Sequence, residues 1–137
     1  MIIEYTILIL ISYLIGSIPF AYIIVKAVKG IDIRSVGSGN AGATNVARVL
    51  GKWGFVSVLI LDMLKGFIPV IIAYLYYGQE NIVLYMMIAV VLGHTFTIFL
   101  SFKGGKGVAT GAGAFFALVP FSMLVAVIVF LLTFAIT

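Results

Sequence analysis

The sequence contains no cysteine, which excludes disulfides, thiolate metal sites and a cysteine nucleophile together. Charge is nearly as scarce. Asp, Glu, Lys and Arg make up 9% of the 137 residues, against about 25% in a soluble domain. That is too little polar material to clothe a water-exposed surface. Disorder is excluded by the same shortage, because it requires high charge and low hydrophobicity. What is abundant is apolar: 64% of residues are hydrophobic and the mean hydropathy is +1.34. The net charge of +4 is small, so its placement matters more than its size. These numbers describe an integral membrane protein.

The uncharged runs locate the crossings. Tyr5 to Val25 holds 21 residues without a charge, Asn81 to Phe102 holds 22, and Gly107 to Thr137 holds 31. About 20 residues span a hydrocarbon core as a helix, so the first two runs are one crossing each. Pro120 and the small residues Gly107, Gly111, Gly113 and Ala117 divide the third run into a short piece and a longer helix. Between Trp53 and Gln79 lies a fourth apolar run, interrupted only by Asp62 and Lys65. Three positions apart on a helix, these two share a face and can neutralise each other. The expectation is an all-α polytopic membrane protein, a single integral membrane domain over residues 1–137. Five helical segments are expected, near 4–25, 54–76, 82–102, 108–119 and 121–137.

No Lys or Arg precedes the first segment, and no small-residue cleavage pattern closes it. It reads as a retained anchor rather than a signal peptide. Lys26, Lys29, Arg34, Arg48 and Lys52 fall in one connection, and Lys103 and Lys106 in the next but one. The turn around Glu80 carries no basic residue. The positive-inside rule therefore places both basic connections in the cytoplasm and the amino terminus outside.

The two basic connections are rich in glycine. The first reads Gly37-Ser38-Gly39-Asn40-Ala41-Gly42-Ala43-Thr44-Asn45, followed by Arg48; the second reads Lys103-Gly104-Gly105-Lys106-Gly107-Val108-Ala109-Thr110-Gly111. Glycines let consecutive backbone N–H groups converge on an anion. A helix amino terminus adds partial positive charge, and Lys or Arg adds full charge. The chemistry suits phosphate. Neither loop is a nucleotide-binding P-loop or dinucleotide fingerprint. The plainer alternative is a pair of surface turns whose lysines touch anionic headgroups.

These two segments closely resemble the first two signature motifs of the bacterial acyl-phosphate:glycerol-3-phosphate acyltransferases. The flanks are similar too: Gly16-Ser17-Ile18-Pro19, Leu61-Asp62-x-x-Lys65-Gly66 and Gly93-His94-x-Phe96. The likeness runs from Leu14 to Pro120. It departs from the family at Thr97, where proline is common. It also departs at the carboxyl end, where family members carry further helices and a third cytoplasmic motif, so the resemblance implies an incomplete chain.

The resemblance implies transfer of a fatty acyl group from acyl phosphate to the 1-hydroxyl of glycerol 3-phosphate, giving lysophosphatidic acid. Acyl phosphate, glycerol 3-phosphate and the lipid bilayer are the expected partners, with no nucleic acid. No metal or other cofactor is expected, since acyl phosphate already has a good leaving group. Ser38, Arg48 and His94 are the candidate catalytic residues. Arg48 offers a planar fork for two phosphate oxygens, and Ser38 is expected to orient substrate, having no local base. Gly37, Gly39, Asn40, Gly42, Thr44 and Asn45 would bind substrate from the first loop. Lys103, Gly104, Gly105, Lys106, Gly107 and Thr110 would bind it from the second, which the resemblance associates with glycerol 3-phosphate. Asn45 reads equally well as turn chemistry, and the lone His94 as a packing residue. Asp62 and Lys65 are expected to brace the site as an internal pair.

Two other classes fit parts of the pattern. A transporter or channel for a phosphorylated organic anion would use broken helices aimed at its cargo, although no inverted repeat is visible. A non-catalytic assembly subunit would use Gly107-x-x-x-Gly111 for close helix packing, but leaves the first loop unexplained.

Overall fold

The computed structural model describes residues 1–136, and every element in them is helical. Helix α1 (Ile2–Ser17) and α2 (Phe20–Lys29) are separated by Ile18 and Pro19; α3 is Ala43–Tyr77, α4 Asn81–Thr95, α5 Val108–Leu118 and α6 Pro120–Ile136. Short 3-10 turns occupy Ile33–Ser35 and Ile98–Leu100.

The five expected segments are present, with boundaries shifted where backbone chemistry intervenes. The first is broken in two because Pro19 has no N–H to continue the helix, and α2 then ends at Gly30, which has a left-handed φ of 71°. Ile2–Lys29 nevertheless remains one apolar stretch of 28 residues. The second begins eleven residues before position 54, at Ala43. Residues 43–50 are thus a helical extension of the expected loop, joined to the membrane portion across a kink at Gly51 (φ 70°, ψ −160°). Thirty-five helical residues would reach about 50 Å if straight, well beyond a hydrocarbon core of about 30 Å. The third stops at Thr95 rather than 102, and the chain reverses through Ser101 and Phe102, both at positive φ.

Backbones meet closely in two pairs. A Cβ on Gly16 would strike the Val90 carbonyl and one on Gly93 the Tyr13 carbonyl, which fixes α1 against α4. A Cβ on Gly66 would strike the Thr110 carbonyl and one on Gly113 the Met63 carbonyl, which fixes α3 against α5. Small residues allow this approach in lipid, where no hydrophobic force draws helices together. Gly111, by contrast, faces open space apart from Val91 at 3.9 Å, so the Gly107–Gly111 spacing is not the packed seam.

The molecule has two chemically distinct ends. At one, the Tyr5 hydroxyl donates to Glu80 Oε2 at 2.5 Å and the Tyr77 hydroxyl to Glu4 Oε1 at 2.6 Å. The other carries both glycine-rich loops. Val70, Ile82, Val83, Val90 and Ala114 form the core between the helices. A second core of Ala21, Val25, Ile33, Val46, Val58 and Leu100 underlies the loops.

Candidate functional site

The first loop is built around Asn45, which is buried at the start of α3. Its Oδ1 accepts from the Ser38 N–H at 3.0 Å, and its Nδ2 donates to the carbonyls of Ile33 and Val36 at 3.1 and 3.0 Å. Those bonds occupy its amide, so Asn45 shapes the loop. Gly37 and Gly39 take left-handed φ values of 57° and 70°, and a Cβ on Gly37 would collide with Asn45 Oδ1. The turn thereby turns Ser38 outward. Gly42 caps α3 from an extended conformation, leaving Ala43 and Thr44 N–H groups without helical acceptors. Arg48 is exposed and has no hydrogen-bond or ion-pair partner among the described residues. Its Cδ lies 3.4 Å from where a Cβ on Gly37 would stand.

Arg34 joins this loop to its neighbour. Its guanidinium grips both oxygens of Asp32, with contacts of 2.7 to 3.1 Å, and donates to the Leu100 carbonyl at 3.1 Å. The hydrogen bond from Arg34 holds the Asp32 carboxyl below its ordinary pKa and raises that of the guanidinium in return. Both side chains are about one-third exposed, so water screens the pair and its net stabilisation is modest.

The second loop folds back onto the end of α4. Gly104 N–H donates to the Thr95 carbonyl at 3.0 Å and Gly105 N–H to the His94 carbonyl at 3.2 Å. A Cβ on either would hit His94. These two glycines therefore serve close approach, and their amides do not face a ligand as a free anion cradle would require. Donors without a backbone acceptor begin at Lys106 and continue into the first turn of α5, capped by Gly107 at φ 76°. Lys103 and Lys106 are exposed, and neither has a partner among the described residues.

The loops touch: a Cβ on Gly105 would come within 3.0 Å of the Ala41 carbonyl. Gly39 and Lys103 line one open depression with Asp32, Arg34 and Ser35. Ser38, Thr44, Arg48, Lys103 and Lys106 are thus exposed on one loop assembly, with Asn40 half-buried among them. His94, Asn45 and Thr110 lie underneath, buried.

Beneath the loops is a buried polar cluster. Lys65 Nζ lies 2.8 Å from Asp62 Oδ1, both side chains being 3% exposed, and also donates to the Ile18 carbonyl at 2.7 Å. His94 Nδ1 is 3.1 Å from Thr110 Oγ1 and 3.6 Å from Asp62 Oδ1. Thr97 Oγ1 donates to the Ser17 carbonyl at 2.5 Å. The sequence reading notes Ser17, Thr97 and Arg34 but gives none of them a role in the site. Pro19 inside an apolar run was the available signal, because it implies freed carbonyls in need of donors. Among the described residues no group of His, Asp and Glu is arranged to hold a metal.

Helices of this kind, broken at Pro19 and joined at one end by two touching glycine-rich loops with exposed cations, define a polytopic membrane protein. The profile of the glycerol-3-phosphate acyltransferase family matches residues 6–137, and the chain belongs to that family. It is 55% identical over 126 residues to a glycerol-3-phosphate acyltransferase of Endomicrobium trichonymphae, covering 92% of this chain and 63% of that one. The corresponding protein of Aquifex aeolicus is 52% identical over 129 residues, with 90% and 67% covered. Two crystal structures of PlsY, an integral membrane glycerol 3-phosphate acyltransferase, share the fold. Its glycerol 3-phosphate form gives a TM-score of 0.91 at 47% identity, covering 96% of this chain and 66% of that one. Its lysophosphatidic acid form gives 0.88 at 46%, covering 96% and 65%. The chain thus spans about 63% of the length of the first of these relatives.

Proposed function

We propose that this protein transfers a fatty acyl group from acyl phosphate to the 1-hydroxyl of glycerol 3-phosphate, the first step of phospholipid synthesis. The hydroxyl oxygen attacks the acyl carbon and an ester bond forms. The bond from that carbon to the phosphate oxygen breaks, and phosphate leaves with the electron pair. The hydroxyl proton passes to a phosphate oxygen of the substrate. The observation that carries this reading is the contact of the two loops at Ala41 and Gly105, with Arg48, Lys103 and Lys106 exposed and unpaired among the described residues. Two phosphates repel each other, so a protein that joins them needs fixed positive charge and fixed geometry more than it needs a new nucleophile.

In this reading Arg48 grips a phosphate with its fork, aided by the free N–H groups at the start of α3, from Gly42 to Thr44. Ser38 orients substrate; the Asp32 carboxylate, the acid nearest in sequence, is occupied by Arg34 and does not serve it as base. Gly37, Gly39 and Asn45 hold the loop that presents Ser38, and Asn40 supplies a further polar contact. Lys103, Lys106 and the first turn of α5 from Gly107 take the glycerol 3-phosphate, with Gly104 and Gly105 seating that loop. His94 and Thr110 act from beneath it. The loops face the cytoplasm and the Glu80 turn faces outward, in the inner membrane. The glycerol 3-phosphate and lysophosphatidic acid forms of the PlsY structures support these substrates.

Proteoliposomes containing an intact relative with these two loops, given acyl phosphate and glycerol 3-phosphate without metal, should form ester and free phosphate in equal amounts. Arg48→Lys should abolish most of that turnover, whereas Lys29→Ala should not. Movement of glycerol 3-phosphate across the bilayer without ester formation would establish the transporter instead.

A further inference from the structure

Six parts of the fold converge on one small chamber: the α1–α2 break, Ala41 of the first loop, the middle of α3, the end of α4, the 3-10 turn after it and the second loop. Ser17, Ile18, Asp62, Lys65, His94 and Gly105 line it. Its free space is about 10 Å³, close to what one water centre requires. Among the described residues, buried Ser17 Oγ has no hydrogen-bond partner, and Asp62 Oδ1 has an ion-pair contact with Lys65 at 2.8 Å, which is not aligned as a hydrogen bond. A buried hydroxyl and a buried carboxylate oxygen around a water-sized space are what an internal water satisfies. An enclosed apolar void would instead stay dry.

His94 connects the chamber to the loop above. Its Nδ1 edge faces Thr110 in the first turn of α5, and its Nε2 edge is covered by Gly105, where a Cβ would overlap it. One ring therefore abuts both ends of the segment 105–110, which carries Lys106. Covered on that edge and 6% exposed, the imidazole does not reach a ligand lying on the loop surface. Its nearest anchor inside is Asp62, whose carboxylate also holds Lys65 and, through Lys65, the Ile18 carbonyl.

We propose that this chamber holds one internal water between Ser17 and Asp62, and that through His94 it sets the position of the second glycine-rich loop. Ser17, Asp62 and His94 are then positioning residues, and a ligand on the loops touches none of them. The loop-binding role rests on the function proposed above, whereas the loop's position does not.

The native chain has no cysteine, so a single Lys106→Cys reports the loop's position by its rate of reaction with a thiol reagent in detergent, without any substrate. His94→Ala should raise that rate several-fold, and Thr110→Val, which cuts the link from the α5 side, should do the same. His94→Asn, whose amide stands where Nδ1 stood, should restore the parental rate, while a Ser38→Cys reporter on the first loop should change little throughout. A structure at water-resolving resolution should show density within hydrogen-bond distance of both Ser17 Oγ and Asp62 Oδ1. A dry chamber overturns the water, and unchanged labelling in Thr110→Val and any folded His94→Ala overturns the positioning role. If labelling behaves as expected but an intact relative with these loops forms no ester, the proposed activity fails and this inference stands.

Discussion

Lys65 donates from the middle of α3 to the carbonyl of Ile18, 47 residues earlier, at 2.7 Å. A charged ammonium in a membrane helix is thereby also the donor for a carbonyl at a helix break. In lipid there is no water to take over that carbonyl, and an unpaired Lys would itself be costly. Asp62 at 2.8 Å offsets the charge, so three individually unfavourable features become mutually compensating.

Removing one partner should be worse than removing both. Lys65→Met leaves Asp62 buried and unpaired, and should destabilise by about 3–5 kcal/mol. Adding Asp62→Leu should recover part of that loss, short of full recovery because the Ile18 carbonyl stays without its donor. Thermal unfolding in detergent measures the order of the three variants.

The packed glycines on α5 are separable from the open one. Gly113→Ala drives a methyl into the Met63 carbonyl and should cost about 1–3 kcal/mol through overpacking. Gly111→Ala has room and should be neutral or stabilising by up to about 1 kcal/mol, from higher helix propensity. Equal losses in unfolding experiments would mean that the α3–α5 seam is elsewhere.

The Asp32–Arg34 pair should persist in acid. The Asp32 pKa lies below its ordinary 3.8 because of the Arg34 hydrogen bond. Its contribution is therefore complete above about pH 4 and declines only as the pH falls through the lowered value. Arg34→Gln should move the Asp32 midpoint upward, toward 3.8, in a carboxyl NMR titration. No movement would show that the guanidinium is not what holds it down.

Sidedness has a direct reading. Seven of the eight basic residues lie in the two loop connections and none in the Glu80 turn, so Gln79→Cys should react with an impermeant thiol reagent on intact cells. Ser38→Cys and Lys106→Cys should react only after permeabilisation. The reverse pattern would invert the proposed orientation.

The membrane class, the five segments and the existence of two basic glycine loops were legible in the sequence by itself. Hydrocarbon burial is a cumulative property of consecutive residues, so uncharged runs such as 81–102 announce themselves. The Asp62–Lys65 pairing was legible for a related reason, since helical periodicity alone puts them on one face. Which groups the loops leave free was decided by tertiary structure. The amides of Gly104 and Gly105 were candidate anion donors until α4 ended early and offered them the Thr95 and His94 carbonyls. Asn45 stood open between ligand and turn chemistry until the folded loop brought Ser38, Ile33 and Val36 within its reach. His94 reads in the sequence as a lone histidine, and only packing places Gly105 over one edge and Thr110 beside the other. A hydrogen-bonding group has a fixed number of bonds to make, and which partners take them depends on residues that only the folded chain brings together.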